Sequence, residues 1–220
     1  KFPAELIIVE NIPDTPIDIP SDFPLPIKFY NNKIQKGLSS NLNWAFEFAQ
    51  GEYFRTLNPD VIFPDNVFIP LIKKMETDSI DIIGPLIVDH DDNIQDSFRS
   101  LSKFYTRIVG FTGKRLNVVL PKNTKIIYPD WLAGIFLMMR SKTFRELNGF
   151  NEKYFLYFED VDFSCRAKLN GNSIAVDAET HIIHDAQRKS RKNLRFFFMH
   201  VKSALTFFTS KVYWDMKKKI

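Results

Sequence analysis

The chain has 220 residues, 45% of them hydrophobic and 25% charged, with a net charge of +4 and a single cysteine, Cys165. That length accommodates one substantial α/β domain and excludes two full-sized ones. The lone cysteine excludes an internal disulfide, no apolar run approaches the roughly 20 residues of a membrane span, and the mild basicity comes without a nucleic-acid-binding motif.

Leu6-Ile7-Ile8-Val9 is a short apolar run suited to a buried parallel strand. Pro13, Pro16, Pro20, Pro24 and Pro26 then impose an extended loop, and Ile27-Lys28-Phe29-Tyr30 reads as a second strand. Ser39 and Ser40 are placed to cap a helix whose apolar face includes Leu42, Ala45, Phe46 and Ala49 and which stops at Gly51. Tyr53–Leu57 reads as a third strand running into Asn58-Pro59-Asp60. Asp65 is placed to cap a helix carrying Val67, Phe68, Leu71, Ile72 and Met75, and Ile80–Gly84 gives a fourth strand. Residues 89–128 show poor periodicity, which predicts an irregular, ligand-side excursion with a helical turn at 104–109.

Trp131–Met139 is apolar and β-compatible, and Ser141 opens a short helix closed by Gly149. Glu159–Leu169 forms an amphipathic helix ended by Asn170-Gly171, with Cys165 inside it as a buried, inert thiol. Strands at Ser173–Val176 and His181–His184 follow, then a Phe-rich helix from Leu194 to Trp214. Strands alternating with helices predict an α/β fold built on a mainly parallel sheet covered on both faces. The domain is expected to span 1–190, with a basic helical segment over 191–220.

Asp60 follows a strand in a turn, which puts a carboxylate at the carboxyl edge of the sheet, where open α/β folds bind ligands. Asn58 and Asp60 are hard oxygen donors of the kind that hold Mg²⁺ or Mn²⁺ against a diphosphate, although Asn-Pro-Asp is also ordinary turn chemistry. Glu159, Asp160 and Asp162 open a helix behind Tyr154, Phe155, Tyr157 and Phe158. Acids there complement the helix dipole, yet three are more than a cap needs, and carboxyls crowded at an apolar rim acquire the raised pKa of a general base. His184 closes an apolar strand; imidazole is a common metal ligand, and a lone strand-end histidine is more often structural.

Gly37-Leu38-Ser39-Ser40-Asn41-Leu42-Asn43-Trp44-Ala45, Ala49-Gln50-Gly51-Glu52-Tyr53 and Leu57-Asn58-Pro59-Asp60, in that order, resemble the N-terminal half of family 2 glycosyltransferases. Ile94-Gln95-Asp96-Ser97-Phe98-Arg99 resembles their middle loop. Asp130-Trp131-Leu132-Ala133-Gly134 with Arg140, Gly149-Phe150-Asn151-Glu152 and Phe155-Leu156-Tyr157-Phe158-Glu159-Asp160-Val161-Asp162 resemble their acceptor-side half. The tail from His200 to Lys211 is similar to the bacterial rhamnosyltransferase-like branch.

The resemblance implies a GT-A fold, a mainly parallel sheet flanked by helices with a C-terminal helical tail. Residue by residue, Glu10, Asn11, Asn43, Asn58 and Asp60 would face the nucleotide-sugar donor, with Glu10 standing where the family has Asp. Asp60 and His184 would bind a divalent metal, Mg²⁺ or Mn²⁺. Asp160 would be the catalytic base with Glu159 beside it, and Trp131, Gly134 and Asp162 would line the acceptor and sugar pocket. The family's opening strand, nucleotide loop and first helix would precede Lys1, so the chain is expected to be a piece of a longer one.

The implied activity is inverting transfer of a sugar, rhamnose at the level of the branch, to a glycan or lipid-linked acceptor in cell-surface polysaccharide synthesis. A catalytically degenerate nucleotide- or carbohydrate-binding module of the same fold is the competing reading; Glu10 and the missing front favour it, and the retained Asp60, Asp160 and His184 oppose it. The composition suits a cytoplasmic setting. Phe196–Phe198, Phe207 and Phe208 beside Arg195, Lys202 and Lys211 suit a helix lying peripherally on the inner face of the cell membrane, or equally one packed on the domain or in a homodimer. No nucleic acid is expected as partner.

Overall fold

The structure, a computed structural model, describes residues 4–12, 17, 19–100, 120–121, 123–184 and 194–219. The turn expected at 104–109 therefore lies outside the described residues. In chain order the elements are β1 (Leu6–Glu10), β2 (Ile27–Asn31), α1 (Leu38–Glu47), β3 (Tyr53–Leu57), β4 (Val61–Ile62), α2 (Phe68–Thr77), β5 (Ile82–Val88) and β6 (Phe98–Arg99). There follow β7 (Ile126–Ile127), β8 (Trp131–Leu132), β9 (Phe136–Arg140), α3 (Ser141–Glu146), α4 (Glu159–Leu169), β10 (Ile174–His184), α5 (Leu194–Phe208) and α6 (Lys211–Lys219).

The main sheet runs β3-β9-β5-β10-β4, with β7 also paired to β10; β1 and β2 form a second sheet and β6 and β8 a third. The α/β architecture is as expected, but the sheet is mixed rather than mainly parallel. Among the described residues only β1–β2 and β5–β10 pair in parallel, and β9 runs antiparallel to both β3 and β5. Hydrophobic runs report burial on both faces, not strand direction, so the reversal of β9 after its long excursion leaves no trace in periodicity.

Both faces of the sheet are covered, and side chains alternate between two cores as strand geometry requires. Leu137 and Met139 of β9 join Phe54, Phe144, Phe163 and Val176 on the side of α1, α3 and α4. Phe136 and Met138 join Leu71, Met75, Ile83 and Ile182 on the side of α2. A third cluster holds Tyr154, Phe158, Val161 and Cys165 against Phe207, Tyr213 and Met216 of the last two helices. Burial pushes the Cys165 thiol up, as expected of an inert buried cysteine.

Element ends differ from expectation where side chains found tertiary partners. Gly37 is the N-cap of α1, while the Ser39 hydroxyl donates to the Tyr154 carbonyl at 2.9 Å and that of Ser40 to Glu152 at 2.7 Å. Asn66, not Asp65, accepts the first amides of α2, from Phe68 and Ile69. Ser141 donates to the Gly51 carbonyl at 2.6 Å instead of capping α3. The two strands expected at the end of the domain are one strand, β10, with an irregularity between Asp177 and His181, and the C-terminal helix is broken into α5 and α6.

Candidate active site

The helix α4 begins immediately after two bulky residues in left-handed conformation, Tyr157 at φ 70° and Phe158 at φ 67°. Such conformations cost on the order of 1–3 kcal/mol each and persist only where the surroundings impose them. Three hydrogen bonds do so: Ser39 to the Tyr154 carbonyl, the Leu38 amide to the Phe155 carbonyl at 2.7 Å, and the Ser203 hydroxyl to the Leu156 carbonyl at 2.8 Å. The approach of α1 is close enough to require glycine, since a Cβ on Gly37 would meet the Phe155 Cα at 2.8 Å.

This loop delivers Glu159 and Asp160 side by side, in different environments. The Asp160 carboxylate keeps some exposure and accepts the Gly134 amide on Oδ2 and the Val161 amide on Oδ1, both at 2.8 Å. Glu159 is 6% exposed and its Oε2 has no partner among the described residues. Burial raises the pKa of both; for Asp160 the Gly134 and Val161 amides and the Trp131 indole oppose the rise. For Glu159 burial, with the charge of Asp160 adding to it, pushes the value up to about 8. Donors gather on one carboxyl and leave the other dry, and as close neighbours the two titrate together, both above the ordinary carboxylate range.

The second centre lies at the end of β10. There β4 pairs antiparallel with Ile183 and His184, which folds the Asn58-Pro59-Asp60 turn back so that His184 Nε2 stands 3.4 Å from Asp60 Oδ1. His184 is 5% exposed, its Nδ1 has no partner among the described residues, and its carbonyl accepts the Gln95 side-chain amide. Two donors each about 2.1 Å from one small divalent ion stand at most ~4.2 Å apart, so this pair fits a single Mg²⁺ or Mn²⁺. No group of three or more such ligands occurs among the described residues, so a bound ion would take its other positions from water or a phosphate-bearing ligand.

One turn couples the two centres. Gly134 donates to Asp160, the neighbouring Ile135 carbonyl accepts the Asn58 amide at 3.0 Å, and Ala133 is tied to the Ser97 carbonyl at 2.7 Å. Trp131, half-buried on β8, packs on the Tyr154–Phe158 cluster beside the same carboxylate.

Other expected residues take different places. Asp162 does not face the pocket: it is fully buried, with Oδ2 accepting Arg166 Nε at 2.7 Å and Oδ1 facing the Tyr154 hydroxyl. The Asn43 amide is spent on both the carbonyl and amide of Phe150 and on Glu152. Glu10 ends β1, and Asn11 clasps the backbone of Lys36 through both its amide atoms, next to the start of α1. Gln95 and Ser203, which brace His184 and the 154–158 loop, are not among the residues the sequence singles out; Gln95 sits in a recognisable segment, whereas nothing local marks Ser203.

The sequence profile described as glycosyl transferase family 2 matches residues 3–141. The chain is 30% identical over 171 residues to the rhamnosyltransferase WbbL of Escherichia coli K12, covering 74% of this chain and 64% of that protein. It is 28% identical over 168 residues to an N-acetylglucosaminyl-diphospho-decaprenol L-rhamnosyltransferase of Mycobacterium tuberculosis, covering 70% of this chain and 54% of that one. The chain thus spans less than two thirds of the length of either relative. In fold it resembles S. aureus TarS 1-349 in complex with UDP-GlcNAc, at a TM-score of 0.57 and 13% identity over 94% of this chain and 58% of that one. It also resembles GalNAc-T7 with UDP, GalNAc and Mn²⁺, at 0.56 and 16% over 72% and 32%.

Proposed function

The chain belongs to glycosyl transferase family 2, and from that premise we propose that it carries the catalytic domain of an inverting glycosyltransferase. The donor is a nucleotide-diphosphate sugar, and both named relatives are rhamnosyltransferases, which supports an L-rhamnosyl donor. The acceptor class is a glycan or lipid-linked sugar of cell-surface polysaccharide synthesis, in line with the decaprenol-linked acceptor in the name of the mycobacterial relative. A cytoplasmic setting on the inner face of the membrane suits such an acceptor, and residues 1–190 form the transferase unit with 191–220 as an appended helical segment.

The observation that carries the proposal is the Asp160 carboxyl, fixed by the Gly134 and Val161 amides beside the buried Glu159. Asp160 Oδ2 takes the proton from the acceptor hydroxyl as that oxygen forms its bond to the anomeric carbon from the face opposite the diphosphate. The anomeric carbon–oxygen bond breaks, and the diphosphate leaves with its electron pair. Burial raises the basicity of Asp160, and the Gly134 and Val161 amides hold it in one orientation, so little reorganisation accompanies proton transfer. Trp131 and Gly134 wall the acceptor side. Asp60 and His184 would hold the divalent ion, which when bound neutralises charge on the leaving diphosphate. Asn58 and Glu10 would face the nucleotide, with Asn11 holding the Lys36 backbone beside them.

The test is a panel of sugar nucleotides (dTDP-rhamnose, UDP-hexoses, GDP-mannose) titrated into the protein with Mn²⁺ and again with chelator, followed by thermal stability. A donor at 100 times its Kd adds roughly 2.7 kcal/mol. A metal-dependent shift with one donor, and transfer from it to a polyprenyl-diphosphate-linked sugar, is the expected result. Donor binding without any transfer would make the chain a binding module, and silence across the panel would remove the nucleotide-sugar assignment.

A further inference from the structure

Helix α5 is apolar on two opposite sides. Its inner side carries Ser203 and Phe207, buried against the loop that leads into Glu159 and Asp160, with the Phe207 ring 5.7 Å from that of Phe158. On its outer side Leu194 is 75% exposed, Phe198 65% and Leu205 61%. At about 100° per residue, Leu194, Phe198, Val201 and Leu205 all fall within about 40° of the direction opposite Ser203, so they form one stripe along the helix. Arg195 and Lys202 lie along one flank of that stripe. On α6 Trp214 is 49% exposed, with Lys217 Nζ 5.0 Å from its ring centre. Lys211 and Lys218 share the side of Trp214 on a helical wheel. Residues 194–219 hold six Lys and Arg against the single acid Asp215.

An exposed apolar stripe of this length marks an interaction surface. Its surroundings choose the partner: lysine is depleted at protein–protein interfaces, whereas an apolar helix face with basic flanks, and a Trp among lysines, match the headgroup–acyl boundary of an anionic bilayer. We propose that the outer faces of α5 and α6 dock on an anionic lipid surface, with Leu194, Phe198, Leu205 and Trp214 entering the boundary and the lysines meeting the headgroups. This surface stands independently of the transfer reaction. Because the inner side of the same helix holds Leu156 in place, docking also fixes the Asp160 side of the active site next to the membrane, where a lipid-linked acceptor would present its sugar.

Flotation of the full chain with phosphatidylcholine vesicles, with and without phosphatidylglycerol, tests the proposal. Expected is binding to the anionic vesicles only, falling with added salt. Phe198→Ser combined with Leu205→Ser should lower the partition coefficient at least about tenfold while leaving the melting temperature unchanged, since both side chains are exposed. Replacing Lys217, Lys218 and Lys219 together by Ala should weaken anionic binding several-fold per charge, roughly, and spare the fold. Absence of flotation with either vesicle overturns the proposal. So does a concentration-dependent dimer in sedimentation that the same Phe198→Ser and Leu205→Ser pair abolishes without any lipid binding, which would give the face to a second copy.

Discussion

Replacing Glu159 by glutamine keeps the shape of the protonated acid and removes its ability to ionise. The side chain is 6% exposed with Oε2 unpartnered, and its pKa rises from 4.5 to about 8. A carboxyl with a raised folded-state value opposes folding above its unfolded value: the native state binds the proton more tightly, so stability falls as pH climbs from 4.5 towards 8 and levels off beyond. Integrating between those two values gives a loss of about 1 kcal/mol by pH 5, about 2 by pH 6 and about 4 by pH 8. Urea unfolding of wild type and Glu159→Gln across this range should show the variant more stable by about 1 kcal/mol at pH 5, widening to about 4 kcal/mol at pH 8. Parallel curves differing by less than about 0.5 kcal/mol throughout would mean that Glu159 is solvated or paired, and its raised pKa would be withdrawn.

Asp160→Asn should lower single-turnover transfer by roughly 10²–10⁴-fold with donor affinity retained; transfer at the wild-type rate would remove its role as base. Because burial raises the Asp160 pKa, wild-type transfer should increase with pH through that value, a dependence measurable in a pH–rate profile and absent from the Asn variant. Asp60→Ala and His184→Ala should each abolish the manganese-dependent part of the donor-induced thermal shift, and an unchanged shift would move the metal elsewhere. Asp162→Ala strands the Arg166 guanidinium, which also donates to the Leu147 and Gly149 carbonyls, and should cost about 3 kcal/mol in urea unfolding; a loss under 1 would show the pair to be solvent-screened.

Particular residues show how far the chain is legible by itself. The α4 bounds coincide with those read from the three acids and the apolar positions behind them, and the order of motifs leads to Asp160, Gly134, Asp60 and His184, which the fold joins through the 133–135 turn. Residues with a polar end and more than one potential partner mislead. Ser39 and Ser141 are good caps by local rule, yet their hydroxyls go to carbonyls 115 and 90 residues away, a competition that only tertiary structure decides. Asp162 is different, because its partner Arg166 stands at i+4 on the same helix, a pairing visible in the sequence and outweighed there by the pull of the acidic cluster.

The same logic explains why the strained 157–158 backbone leaves no local signal. Nothing in Tyr157-Phe158 favours positive φ, and the conformation is imposed by Gly37, Ser39 and Ser203, contributed by segments far apart in the chain. The position of the base therefore depends on a helix from the first quarter of the chain and one from its end. A Ser203→Ala variant, which removes one of these ties while leaving Asp160 itself untouched, should lower the transfer rate more than it lowers stability. The loss of one hydrogen bond costs about 1 kcal/mol, whereas loosening a general base by a fraction of an ångström costs about tenfold or more in rate. Equal losses in melting temperature and rate, or none in rate, would reduce Ser203 to an ordinary packing contact and leave the geometry of Asp160 to α4 alone.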